Sequence, residues 1–161
     1  MTRHILSAPL RDPERTAADE SFERRVPSQP PTVVGELRRE LVGYARSAGA
    51  SQDTCDAIAL AVSEAVTNIV RHAYLGEEPG PIIVEAHCNE DELLVRVCDE
   101  GRGLVPRPDS PGLGLGIALM AQMADDFSVA NRHDDPGTIV SLRFNLQTAE
   151  DQDDQAPVQV R

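Results

Sequence analysis

Apolar residues recur along this chain with two different periods, and each change of period marks a change of predicted element. After Ser51 and Asp53, either of which can cap a helix, Ile58, Val62, Ala65, Val66 and Ile69 fall on one side of a wheel of about 100° per residue. Glu64, Thr67 and Arg71 fall on the other side, with Asn68 near the boundary. The spacing predicts a helix packed on a sheet, with a polar ridge facing a cleft, that runs on until Gly76 and the stretch from Glu77 to Pro81 end it. An earlier helix is predicted over Thr32–Ser47, between the Pro27–Pro31 break and Gly49. A later one opens at Gly114, offers Ile117, Leu119, Met120 and Met123 to the core, and closes at Asp125-Asp126.

The remaining apolar runs are β-rich and short. Phe22–Val26 predicts one strand, and Ile82–His87 and Glu92–Cys98 predict a hairpin around Asn89-Glu90-Asp91. Phe127–Asn131 and Thr138–Leu146 predict a second hairpin around Asp134-Asp135-Pro136-Gly137. The order β, α, α, β, β, α, β, β clusters strands and sets helices between them. It predicts an α+β fold, a two-layer α/β sandwich with helices packed on one face of a mixed, mainly antiparallel sheet, rather than a doubly wound parallel one. Residues 1–20 and the acidic stretch 147–161 lack sustained periodicity and are expected to be flexible, leaving 21–146 as the domain.

Composition narrows the function. A chain of 161 residues with 40% hydrophobic content suits one domain. Against 27 acidic side chains stand 15 basic ones, all arginine, for a net charge of −12, which disfavours direct nucleic acid binding or adhesion to an anionic membrane. Without lysine there is no glycine-rich loop of the lysine-containing type, so phosphate must be met by backbone N–H groups, a metal ion or arginine. Cys55, Cys88 and Cys98 have no C-x-x-C spacing and are expected to be reduced and buried, as in a cytoplasmic protein. The four histidines, His4, His72, His87 and His133, have no second ligand at zinc spacing.

Three short stretches carry candidate chemistry. Glu64 and Asn68 are one helical turn apart, so a carboxylate able to take a hydroxyl proton lies beside an amide oxygen suited to Mg²⁺. Asp99 ends an apolar strand and is followed by Gly101 and Gly103; a carboxylate there can accept from an exocyclic amine, which selects adenine. Gly112, Gly114 and Gly116 precede an apolar helix, offering bare N–H groups and a positive helix end to phosphate. Singly, these also fit a solvated helix face, a tight strand-to-loop turn and a plain loop. Their joint occurrence in order favours a nucleotide site.

Together the stretches resemble the Bergerat-fold (GHKL) ATP-binding domain, most closely its small anti-sigma factor serine/threonine kinase branch. Ala61-Val62-Ser63-Glu64-Ala65-Val66-Thr67-Asn68, continuing to His72-Ala73-Tyr74, resembles that branch's N-box. Asp99-Glu100-Gly101-Arg102-Gly103-Leu104 resembles its adenine-contacting motif, and Gly114-Leu115-Gly116-Ile117 its second glycine motif. The resemblance implies ATP and Mg²⁺ as cofactors, Glu64 as general base and Asn68 as metal ligand. Asp99 would read adenine, with Gly101, Gly103, Gly114, Leu115, Gly116 and Thr138 around the nucleotide and Arg71 or Arg102 as further phosphate candidates. It also implies a sigma factor and an anti-sigma factor antagonist as partners, and a homodimer. A departure is the lid, Leu104 to Leu113, which is short and holds Pro106, Pro108 and Pro111. That stiffness motivates an alternative, a non-catalytic nucleotide-binding regulator of the same fold.

Overall fold

A computed structural model describes residues 21–103, 113–133 and 135–146, so the expected flexible ends and nearly all of the lid lie outside the described residues. Strand β1 (Phe22–Pro27) leads to helices α1 (Val33–Ser47) and α2 (Gln52–Asn68), the latter continuing as a π-helical turn over Ile69–Ala73. Strands β2 (Pro81–Cys88) and β3 (Glu92–Asp99), helix α3 (Leu113–Met123), and strands β4 (Asp126–Asn131) and β5 (Thr138–Asn145) complete the order. Each lies within a few residues of the range its periodicity predicts. Of the two caps offered to α2, Ser51 is the one in place: its hydroxyl accepts from the Thr54 N–H at 3.1 Å.

The sheet has the order β1-β2-β3-β5-β4, and every neighbouring pair is antiparallel. The expectation of a mixed sheet is corrected on this point, because β1, separated from the rest in sequence by both long helices, enters antiparallel to β2. Alternation then fixes the layers. Ile82, Val84, Ala86 and Cys88 of β2, Leu93, Val95 and Val97 of β3, and Val140, Leu142 and Phe144 of β5 are buried on one face. Against them lie Val33, Leu37, Leu41 and Ala45 of α1, a stripe at i, i+4 spacing, and Ile58, Val62, Ala65 and Val66 of α2 with Ile69 of the π-helical turn. The opposite face exposes Glu85, His87 and Arg96, so helices cover one side.

Asp99 occupies a telling place in this alternation. It follows Leu93, Val95 and Val97 in the inward series of β3, a central strand, yet it is a carboxylate and only 4% exposed. The core face of the sheet therefore ends on a buried acid.

Candidate nucleotide site

The α2 helix turns its apolar stripe to the sheet, which leaves Glu64 and Asn68 half-buried on its remaining surface. Helix α3 packs across them at a bare position. A Cβ built on Gly116 would lie 3.0 Å from Glu64 Oε2 and 3.6 and 3.8 Å from Asn68 Nδ2 and Oδ1. Glycine there lets the first turn of α3 close onto the carboxylate and the carboxamide. Among the described residues nothing lies within 4 Å of a Cβ built on Gly114, and Leu115 is 79% exposed, so the described residues leave this helix start open. Its first N–H groups lack intrahelical partners and carry the positive end of the helix dipole.

At the end of the sheet, Asp99 is held by several donors. Its Oδ1 accepts from the Gly101 N–H at 2.8 Å, and the N–H and hydroxyl of nearby Thr138 favour its charged form. Burial pushes the Asp99 carboxyl above the ordinary range, while those bonds and the Arg132 charge pull in the opposite direction. Gly137, with φ of +117°, takes a left-handed backbone conformation, and a Cβ there would sit 1.9 Å from the Asp99 carbonyl oxygen. Gly103 lies against Asn131 Oδ1 and the Gly137 carbonyl. Thus Asp99, Gly101, Gly103 and Thr138 gather where β3 ends and β5 begins.

The two groups are joined by one helix. A Cβ on Gly101 would lie 2.2 Å from the Ala73 carbonyl oxygen, and the Arg102 N–H donates to that oxygen at 3.2 Å. The loop after Asp99 is thereby pressed on the π-helical turn that directly follows Asn68, about 7 Å along the axis from it. The π-helical turn was not legible in the periodicity, which predicts a helix continuing to Gly76. π-turns recur at functional sites, and this one falls between the two halves of the candidate site.

Some expectations shift. The Arg102 guanidinium donates to the Leu75 carbonyl, and Arg71 is exposed. Tyr74 and Glu100, quoted within motifs but given no role, turn out to have several partners. The Tyr74 hydroxyl donates to the Pro81 carbonyl at 2.7 Å and accepts from the Glu100 N–H at 2.8 Å. Glu100 receives both guanidinium nitrogens of Arg25 at 3.0 Å, with Arg132 at 3.6 Å, and the Arg25 bonds chiefly hold its carboxyl below the usual range. A Tyr just before Gly76 and Gly80 was a weak signal for the first. Nothing local signals the second, whose Arg25 partner is 75 residues away.

The donor set can be tested against a metal. Among the described residues no group of three or more His, Cys, Asp or Glu could cage an ion. Mg²⁺ needs no such cage, since it commonly takes one or two protein oxygens and completes its shell with phosphate and water. An Asn68 amide oxygen beside the Glu64 carboxylate, under an open helix start, fits that requirement.

The sequence model of the histidine kinase-like ATPase domain matches residues 26–144. The chain belongs to the histidine kinase-like ATPase family. Among this family's members it is similar to the serine-protein kinase RsbW of Listeria innocua, 47% identical over 129 residues that cover 71% of this chain and 81% of the relative. RsbW of Bacillus subtilis is 36% identical over 125 residues, covering 68% and 78%. These relatives bear out the resemblance drawn from the N-box and the two glycine motifs. Solved structures agree on the fold of the histidine kinase-like ATPase. The RsbU and RsbW domains of a Mycobacterium tuberculosis protein superpose with a TM-score of 0.62 at 22% identity, covering 79% of this chain and 32% of that one. A histidine kinase domain from Erythrobacter litoralis superposes at 0.51 and 23% identity, covering 75% and 62%.

Proposed function

We propose that this histidine kinase-like ATPase binds ATP with Mg²⁺, sequesters a sigma factor, and phosphorylates a serine or threonine of that factor's antagonist. The observation that carries the reading is the closure of Gly116 onto Glu64 and Asn68, on the helix whose end grips the Asp99 loop. The relatives named RsbW, which are serine-protein kinases, support the phosphoacceptor class.

Phosphoryl transfer requires mainly positioning and charge neutralisation from the protein. In this reading Asp99 accepts from the adenine amine, with Gly101, Gly103 and Thr138 shaping the pocket around it. The opening N–H groups of α3, at Gly114, Leu115 and Gly116, face the phosphates. Asn68 would hold Mg²⁺, which would offset phosphate charge. Glu64 accepts the proton of the attacking hydroxyl. A phosphoryl group adds about −1.5 to −2 charge to the antagonist, which opposes rebinding to a chain of net charge −12.

Titration with ATP, ADP and GTP, with and without Mg²⁺, tests the pocket first. Both adenine nucleotides are expected to bind at least about 10-fold more tightly than GTP, as a single amine-to-carboxylate contact allows, and Mg²⁺ is expected to strengthen ATP more than ADP. Equal affinity for GTP removes the adenine role of Asp99. With labelled ATP and the antagonist, phosphoprotein should form; a complex that is sensitive to ADP yet yields none makes the chain a non-catalytic binding module instead. Sedimentation tests the homodimer. No helix among the described residues is long and apolar enough to cross a membrane, in keeping with a proposed cytoplasmic site of action.

A further inference from the structure

Three successive backbone amides follow Asp99, and each has a different acceptor. The Glu100 N–H goes to the Tyr74 hydroxyl at 2.8 Å, the Gly101 N–H to Asp99 Oδ1 at 2.8 Å, and the Arg102 N–H to the Ala73 carbonyl at 3.2 Å. On the other side, Ala73, Tyr74 and Leu75 are also successive, and the Leu75 carbonyl takes the Arg102 guanidinium. Three residues at the end of the α2 rod thus clasp three residues of the loop. Of these contacts only one comes from a side chain of the rod.

We infer that Tyr74 is a positioning residue for nucleotide binding: its hydroxyl orients the Asp99 carboxylate relative to the helix that carries Glu64 and Asn68. The inference rests on the proposed nucleotide site and names a residue that sets its geometry. A phenol can do this because a neutral hydroxyl donates and accepts at once. Tyr74 donates to Pro81 at the start of β2 and accepts from Glu100 directly after β3, so it ties the loop to the strand register as well as to the rod. A phenol is neutral at pH 7 and burial raises this one further above its ordinary range, so Tyr74 can hold both bonds there. Its ring is seated too. A Cβ on Gly80 would lie 2.1 Å from a ring carbon, so the phenol packs against a backbone that only glycine leaves bare enough.

Removing only the oxygen keeps that packing and leaves the Glu100 N–H without its acceptor. The turn after Asp99 then loses one of its three fixed points, and the carboxylate is free to adopt other orientations. Tyr74 touches no nucleotide in this account; it acts through Asp99.

The test is Tyr74→Phe, read by calorimetric titration with ATP and ADP and by transfer kinetics. Affinities for both nucleotides should fall in parallel by about 5- to 20-fold, with KM for ATP rising and kcat nearly unchanged. In an Asp99→Asn background the same substitution should add less than about 2-fold, because a residue acting through Asp99 has nothing left to orient. A purely structural role would lower the melting temperature with no loss of affinity in the folded protein, or with a loss that adds fully to that of Asp99→Asn; either result overturns the inference. Should Tyr74→Phe fail to fold, Arg102→Ala probes the same clasp from its exposed end. A 2- to 3-fold weakening is expected there, and unchanged affinity overturns the inference. Absence of adenine nucleotide binding by the unsubstituted protein is a separate result, which defeats the proposed function and this inference with it.

Discussion

Glu64→Gln leaves ATP affinity within a few-fold of the original and lowers phosphoryl transfer to the antagonist by about 100- to 10,000-fold, the range for loss of a positioned base. The substitution is nearly isosteric. Glu64 Oε2 lies against the bare Cα of Gly116, so an amide of the same shape keeps the contact between α2 and α3 and does not disturb the nearby helix start. Only proton acceptance is lost. Binding read by calorimetry and transfer read as labelled antagonist separate the two quantities, and a variant that phosphorylates at the normal rate would show that Glu64 is not the base.

Asp99→Asn produces the complementary pattern, with adenine nucleotide affinity reduced by about 10- to 100-fold through the loss of a charge-assisted hydrogen bond. The buried asparagine must give its single amide oxygen to the Gly101 N–H, which Asp99 Oδ1 serves in the native protein. Its NH₂ is then left where a carboxylate oxygen stood, donor against the donating adenine amine. Preference for ATP over GTP should narrow, and titration with both nucleotides reads it directly.

The raised carboxyl of Asp99 adds a pH signature whose two readouts run in opposite directions. Folded Asp99 keeps its proton to a higher pH than the unfolded chain, near 3.9 for an ordinary aspartate. Its stability contribution is thus present below the unfolded value and is lost as pH rises through the raised folded value. Adenine affinity instead falls as pH drops through that raised value, because the protonated acid has lost an acceptor. Asp99→Asn should abolish this part of both profiles.

Much of this molecule was written locally. The switch between helical and alternating periods located each element, since one buried face suffices to reveal a period. Asp99 was legible for the same reason, as a charge placed where Leu93, Val95 and Val97 predict another apolar residue. Glu64 and Asn68 were legible as an i, i+4 pair on the side of α2 away from Val62, Ala65 and Val66. What escaped were relations between distant segments. Nothing near Phe22 says that β1 pairs antiparallel with β2, and nothing near Glu100 announces Arg25. The π-turn likewise escaped, since Ile69 and Ala73 are both buried as a regular helix would also allow. Nor did the glycine run signal that Gly116, rather than Gly114, is the one against the acid and amide.

The three thiols close a further question. Cys55, Cys88 and Cys98 are all free and buried, and burial raises each above its ordinary range. Nucleophilic sulfur is the thiolate, so at neutral pH the native chain presents almost none to peroxide or alkylating reagents. Oxidative stress would therefore have to reach this regulator by a route other than its own thiols.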